Sequence, residues 1–164
     1  MPFINFLDNL FTGAGIAMIG GILAVIMGGI GSAKAVGSVG SVVTGILVED
    51  PSLYGKLLIL QALPGTQGIY GLLVWFFVML QGGFFDGSYA NMSIQTGFLY
   101  LIVCIPSIIV LPYSAKHQSR VASDGAALVA KRPEEQAKAI VLAAMVETYA
   151  ILALLASVLG IMFV

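Results

Sequence analysis

Four apolar stretches dominate this chain, and each is longer than a bilayer core is thick. They run from about Leu10 to Leu47, Leu53 to Leu80, Met92 to Ala130 and Ala137 to Val164. A helix needs roughly 20 residues to cross the hydrocarbon. Lipid offers no partner to a backbone N–H or C=O, so such stretches must bond internally, as helices. A soluble alternative fails on area. Hydrophobic residues make up 59% of the 164 and charged residues 9%, against about 25% charged in an ordinary soluble domain. A soluble fold of this size buries only about 70% of the surface its unfolded chain exposes. The expected class is an all-α membrane protein with four transmembrane helices. Stretches one and three would reach about 55–60 Å as straight helices, so they must tilt, kink or protrude. Pro106 and Pro112 are the predicted kink sites in the third.

Charge placement sets the orientation. The linkers fall at 48–52, 81–91 and 131–135, and Pro51 and Pro133 suit the first turn of the helix that follows. All seven basic residues lie nearer the first or third linker than the middle one. The positive-inside rule then puts the loops near 48–52 and 131–135 in the cytoplasm of a multi-pass cell-membrane protein, with both termini outside. Lys34, Lys116 and Arg120 sit three to four turns inside their helices, which predicts protruding helix ends or a polar or headgroup-filled interior. Met1 to Phe11 carries no Lys or Arg, so no cleaved signal peptide is expected. A net charge of −1 speaks against nucleic acid as a partner. Single copies of Cys104 and His117 exclude an intrachain disulfide, a Cys-rich metal site and a His cluster.

The chain repeats at an offset of 82 residues. Ser32-Ala33-Lys34 matches Ser114-Ala115-Lys116, and Pro51, Lys56, Ala62 and Thr66 match Pro133, Lys138, Ala144 and Thr148. The expectation is a duplicated helical hairpin, 1–82 and 83–164. Along the first stretch, small residues recur at every fourth position: Gly13, Ala17, Gly21, then Gly29, Ala33, Gly37, Ser41 and Gly45. A second such row reads Ala115, Ser119, Ser123, Ala127. Rows of this kind let helices approach closely in lipid, either within one chain or between many copies wound into a ring.

Glu147 is the only acid deep inside an apolar segment, 14 residues past Pro133 or about 20 Å along the helix. A charge there costs at least about 2.5–3.5 kcal/mol, so an intramembrane acid is a functional candidate by default. Thr66 and Gln67 lie 15 and 16 residues past Pro51, and Gln118 lies 13 before Lys131, all at a similar depth. Pro64 donates no N–H, which loosens the backbone beside them. One carboxylate, two amide oxygens, a hydroxyl and loosened carbonyls are hard donors that suit a hard cation; a bare proton needs only the carboxyl. Helix–helix hydrogen bonding is the competing use of the polar set. The halves have diverged: Gly65 stands where the second half has Glu147, and Val36 where it has Gln118. One chain should therefore hold one ion site. Tyr70 could donate to Glu147 or simply pack. Trp75, Phe76 and Phe77 read as lipid contacts or an interfacial belt. There is no P-loop, no HExxH and no nucleophile–base pair, so no hydrolytic site is expected.

At Leu63-Pro64-Gly65-Thr66-Gln67-Gly68-Ile69-Tyr70-Gly71, Gln118 and Val146-Glu147-Thr148-Tyr149-Ala150-Ile151-Leu152, the chain resembles the duplicated membrane-ring subunit (proteolipid, c or K subunit) of V-type ATPases, in its bacterial sodium-translocating form. The resemblance runs from Gly28 to the C-terminus. It implies a homo-oligomeric rotor ring in lipid, with Na+ carried at Glu147 and not an enzyme by itself. It further implies ligands from the Leu63 carbonyl, Thr66, Gln67, Gln118 and Glu147, with Tyr70 supporting the carboxylate. The partners would be a stator membrane subunit bearing a basic residue and soluble central-stalk subunits at the cytoplasmic loops. His117 and Arg120 give the third helix a more basic middle than that family leads one to expect. The alternatives are the same ring carrying H+, a channel or structural oligomer without ATPase partners, and a small secondary transporter, for which parallel repeats in so short a chain are unusual.

Overall fold

The computed structural model describes residues 11–164, and within them four helical spans run Gly13–Glu49, Pro51–Gln81, Ile94–Lys131 and Pro133–Met162. The expectation of no cleaved signal peptide, like the Leu10 start of the first stretch, falls largely outside the described residues. Three of the four spans begin at a side-chain cap. Thr12 accepts from the Gly15 N–H at 3.1 Å, and Ser93 from the Thr96 N–H at 3.1 Å. Asp50 accepts from the Ser52 N–H at 3.0 Å, and Pro51 opens a single 3-10 turn, Pro51–Leu53. Pro133 opens the equivalent turn, Pro133–Glu135. At the middle linker the reversal needs left-handed backbone at Gly83 (φ 71°) and Gly87 (φ 84°). There Ser88 donates its N–H and hydroxyl to Asp86, which holds that carboxyl below the usual carboxylate range.

The first and third spans contain 37 and 38 residues, about 56 Å of helix against a core of about 30 Å. Neither Pro106 nor Pro112 interrupts the third span, which stays α-helical from Ile94 to Lys131. The second span does break, into Tyr54–Ala62 and Thr66–Gln81 joined by the 3-10 turn Leu63–Gly65. Its proline differs in having a glycine directly after it.

The first span packs along the third, the second leans on the first, and the fourth leans on the third. Spans two and four also adjoin, so the chain is two layers deep. At the charged-linker end Lys56 Nζ donates to the Pro133 carbonyl at 3.1 Å and Gln136 Nε2 to the Lys56 carbonyl at 3.3 Å, tying the halves together. Large apolar side chains such as Ile69, Leu142 and Leu152 remain on the surface, as lipid contact demands.

The row of small residues divides halfway. Gly13, Ala17 and Gly21 are buried within the chain, but Ala33, Gly37, Ser41 and Gly45 are exposed. A methyl added at Gly29, Gly37 or Gly45 would meet nothing within 4 Å. A four-residue step advances 400°, so such a row drifts around its helix by about 40° per step. Intrachain packing passes instead to Gly20, Ala24, Gly28, Gly31 and Ala35, where a single three-residue step offsets the drift. A Cβ at Gly28 would stand 2.6 Å from the Gln67 carbonyl oxygen, and one at Gly31 would stand 2.6 Å from the Pro112 Cα. Backbone cannot step aside as a side-chain tip can. Gly28→Ala should therefore lower stability by about 1–3 kcal/mol, read as an earlier thermal unfolding transition.

Candidate functional site

Pro64 leaves the Leu60 carbonyl without its helical partner, and the backbone tightens into the turn Leu63–Gly65. Two side chains fasten this break. The Thr66 hydroxyl donates to the Leu63 carbonyl at 3.1 Å. From the first span, Ser32 accepts the Gly68 N–H at 2.8 Å. The distortion is thus pinned rather than loose.

Directly after Thr66, Gln67 points into the chain and is fully buried. Its Nε2 donates to Gln118 Oε1 at 2.6 Å and to the Ser114 hydroxyl at 3.4 Å. Gln118, also fully buried, donates Nε2 to Glu147 Oε2 at 3.4 Å. The other carboxylate oxygen accepts from the Tyr70 hydroxyl at 2.5 Å. Ser114 donates to the Val146 carbonyl at 3.2 Å, fixing the fourth span directly beside Glu147. A chain of amides from spans two and three therefore ends on one carboxylate of span four. The only ion pair among the described residues is Lys138–Glu135, so Glu147 has no protein cation beside it.

One atom is left over. Gln67 Oε1 is the one buried side-chain polar atom without a hydrogen-bond partner among the described residues. An orphaned buried acceptor costs about 1–3 kcal/mol, and a cation at that point would remove the cost.

The sequence-predicted residues divide accordingly. Gln67, Gln118, Glu147 and Tyr70 form one bonded chain, in which Tyr70 donates to the carboxylate rather than simply packing. Leu63 and Thr66 bond to each other, and no hydrogen bond among the described residues joins them to the carboxylate. Thr66 precedes Tyr70 by four positions and so shares its helix face. No group of three or more His, Cys, Asp or Glu suited to a metal occurs among the described residues; the donors here are amides, a hydroxyl and a single acid. His117 is exposed and Cys104 buried, and neither joins the site. Sequence reasoning missed Ser32 and Ser114, which it used only as markers of the repeat. Their shared offset of 82 was itself the signal, since equivalent serines facing equivalent outer helices meet the same need.

Four apolar spans in two similar halves, with one acid bonded by an amide and a phenol hydroxyl, define an integral membrane protein. The sequence model of the ATP synthase C-subunit family matches residues 19–78 and again 101–160, two matches that start 82 residues apart. The chain belongs to that family: it is a multi-pass membrane subunit of an ion-translocating ATPase and not its ATP-hydrolysing part. It is 40% identical to V-type sodium ATPase subunit K of Enterococcus hirae over 83% of either chain. It is 32% identical to A-type ATP synthase subunit K of Methanocaldococcus jannaschii over 93% of its own length, spanning 62% of that relative.

Ser114→Ala should cost about 0.6–1.7 kcal/mol by removing the interhelical bond to the Val146 carbonyl, which keeps its own helical partner. Thermal unfolding checks this, and Ser114→Thr, which keeps the hydroxyl, should recover part of the loss.

Proposed function

We propose that this chain is the cargo-bearing protomer of a rotor ring and that its cargo is Na+. The observation that carries the reading is the unbonded Gln67 Oε1, a buried acceptor on the residue whose amide nitrogen bonds Gln118, which in turn bonds Glu147. A proton would need only the carboxyl and would leave that oxygen unsatisfied. A hard cation uses it, together with Gln118 Oε1, the Thr66 hydroxyl, the Leu63 carbonyl and the Glu147 carboxylate. Tyr70 then holds the carboxylate in place without being a ligand. The name of the Enterococcus hirae relative supports the same cargo.

The mechanism is electrostatic. An occupied site is nearly neutral and tolerates lipid. An emptied Glu147 is an uncompensated charge, stable only beside a basic residue of a stator membrane subunit. Exchange is thereby confined to the stator, and rotation between its access paths carries the ion across. Soluble stalk subunits dock on the cytoplasmic loops near 48–52 and 131–135, which place both termini outside, and the two hairpins divide at 82/83.

Na+ should slow the labelling of Glu147 by dicyclohexylcarbodiimide at neutral pH, and Gln67→Leu should remove that protection while leaving the labelling itself intact. Equal labelling with and without Na+ would sink the sodium reading and leave the proton one. Glu147→Gln should abolish sodium uptake.

Copies of the chain meet in the ring along the exposed small residues of the first span. Gly37→Leu, at a position where an added methyl meets nothing within the chain, should leave helix content unchanged but yield monomers or broken rings by native mass spectrometry.

A further inference from the structure

Tyr149 is out of place for a tyrosine. It lies 16 residues past Pro133 and 13 before Met162, about 24 and 20 Å from the two ends of the fourth span. Tyrosine in membrane helices belongs at the water interfaces. Here the side chain is at mid-depth and 65% exposed, among the exposed Leu142, Met145 and Leu152. Its hydroxyl takes part in no hydrogen bond among the described residues, and hydrocarbon would leave it unsatisfied. Two positions along a helix is about 200°, so Tyr149 turns away from the site that Glu147 faces.

The repeat shows what that side of the chain meets. Advanced by 82 positions, Gln67 becomes Tyr149. Thr66 bonded to the Leu63 carbonyl becomes Thr148 bonded to the Met145 carbonyl, at 3.1 and 2.8 Å. The fourth span thus keeps the local form of the second. Within the chain, Gln67 reaches from the first half to Gln118 and Ser114 of the second. Set back by 82, those two become Val36 and Ser32, and Glu147 becomes Gly65. Tyr149 therefore has a matching half-site on spans one and two, supplied by a second copy of the chain.

That half-site is open. A methyl at Gly29 would meet nothing within 4 Å, and one at Gly65 only Val36, at 3.5 Å. Ser32 accepts the Gly68 N–H, and no acceptor takes its own proton among the described residues. Ile22 and Leu72 lie seven positions from Gly29 and Gly65, on the same sides of their helices. With Met18 and Ile26 they line an apolar groove of about 340 Å³. The counterparts of these four, 82 residues on, are Tyr100, Cys104, Ile108 and Leu154, which pack with Ala17, Ala24, Val74 and Val78 of the first half. The groove and half-site are thus the outward image of a contact that the two halves already make inside the chain.

We propose that Tyr149 of one copy plugs the acid-free half-site of the next, lodged between its Val36 and Gly65 with the phenol hydroxyl on its Ser32. This rests on the ring reading and states what closes the junction between copies at the depth of the cargo. Gly65 leaves the room that a carboxylate takes in the second half, and an aromatic ring fills it. The plugged junction has no acid and no amide oxygen, so it holds no cation. Ion sites and plugs then alternate around the ring.

The test uses the assembled protein in mild detergent, with Cys104→Ser throughout. Val36→Cys combined with Tyr149→Cys, treated with a short thiol–thiol cross-linker, should give a ladder of multimers on a denaturing gel. Either cysteine alone should give single chains. By native mass spectrometry, Tyr149→Ala rings should fall apart at a lower temperature than wild type, and Tyr149→Phe rings, which still fill the half-site, at one between. Na+ should slow the labelling of Glu147 in Tyr149→Ala as in wild type, because the carboxylate site is untouched. A wild-type chain that runs only as a monomer would defeat the ring reading itself. Wild-type rings with no ladder from the paired cysteines, Tyr149→Ala rings as durable as wild type, or sodium protection present in wild type but lost in Tyr149→Ala would each overturn this proposal alone.

Discussion

Hydrocarbon offers Glu147 nothing to bond with, so every partner of its two oxygens must come from the chain itself. That requirement explains the arrangement around it. Tyr70 meets one oxygen and Gln118 the other, and Gln118 is held in turn by Gln67. The donors come from spans two and three and the acid from span four, so the spans must stand in one register for the acid to be tolerated. Ser114 and Ser32 fasten that register, one to the fourth span and one to the second. The glycines at 28 and 31 let the first span press against Gln67 and Pro112 closely enough for these short side chains to reach.

Much of this was legible in the sequence because lipid removes alternatives. Four long apolar runs admit few folds, a lone acid at mid-depth must be accommodated, and residues at matching distances from Pro51 and Pro133 must lie near one level. The break at Pro64 could be read from the missing N–H and the glycine that follows. What the sequence hides is angle. The row Gly13 to Gly45 looks continuous on paper, but drift carries it from the chain's interior to its flank. Lys116 and Gln118 are two residues apart and open onto opposite sides. The unbonded oxygen of Gln67 depends on which way an amide turns, and no spacing rule reports that. Ser32 and Ser114 were visible yet silent, since serine in an apolar helix is most often only a small residue.

The two halves illustrate how duplication divides labour. Both keep the proline that opens the outer helix and the serine that fastens it. Beyond that they separate: the first contributes the broken helix with Gln67 and Tyr70, the second the acid and its amide donor. Neither half alone holds the whole bonded chain. Gly65 occupies the repeat position of Glu147, and a methyl there would make only ordinary contact with Val36.

With Glu147 as the ion carrier, as proposed, that difference sets a gear ratio. With one carboxylate for every four helices instead of every two, a wheel of given circumference has half as many teeth. A full revolution then moves fewer charges, each of which takes about 2.3 kcal/mol against 100 mV. For the same work per revolution, the machine trades throughput for torque and can push each ion up a steeper slope.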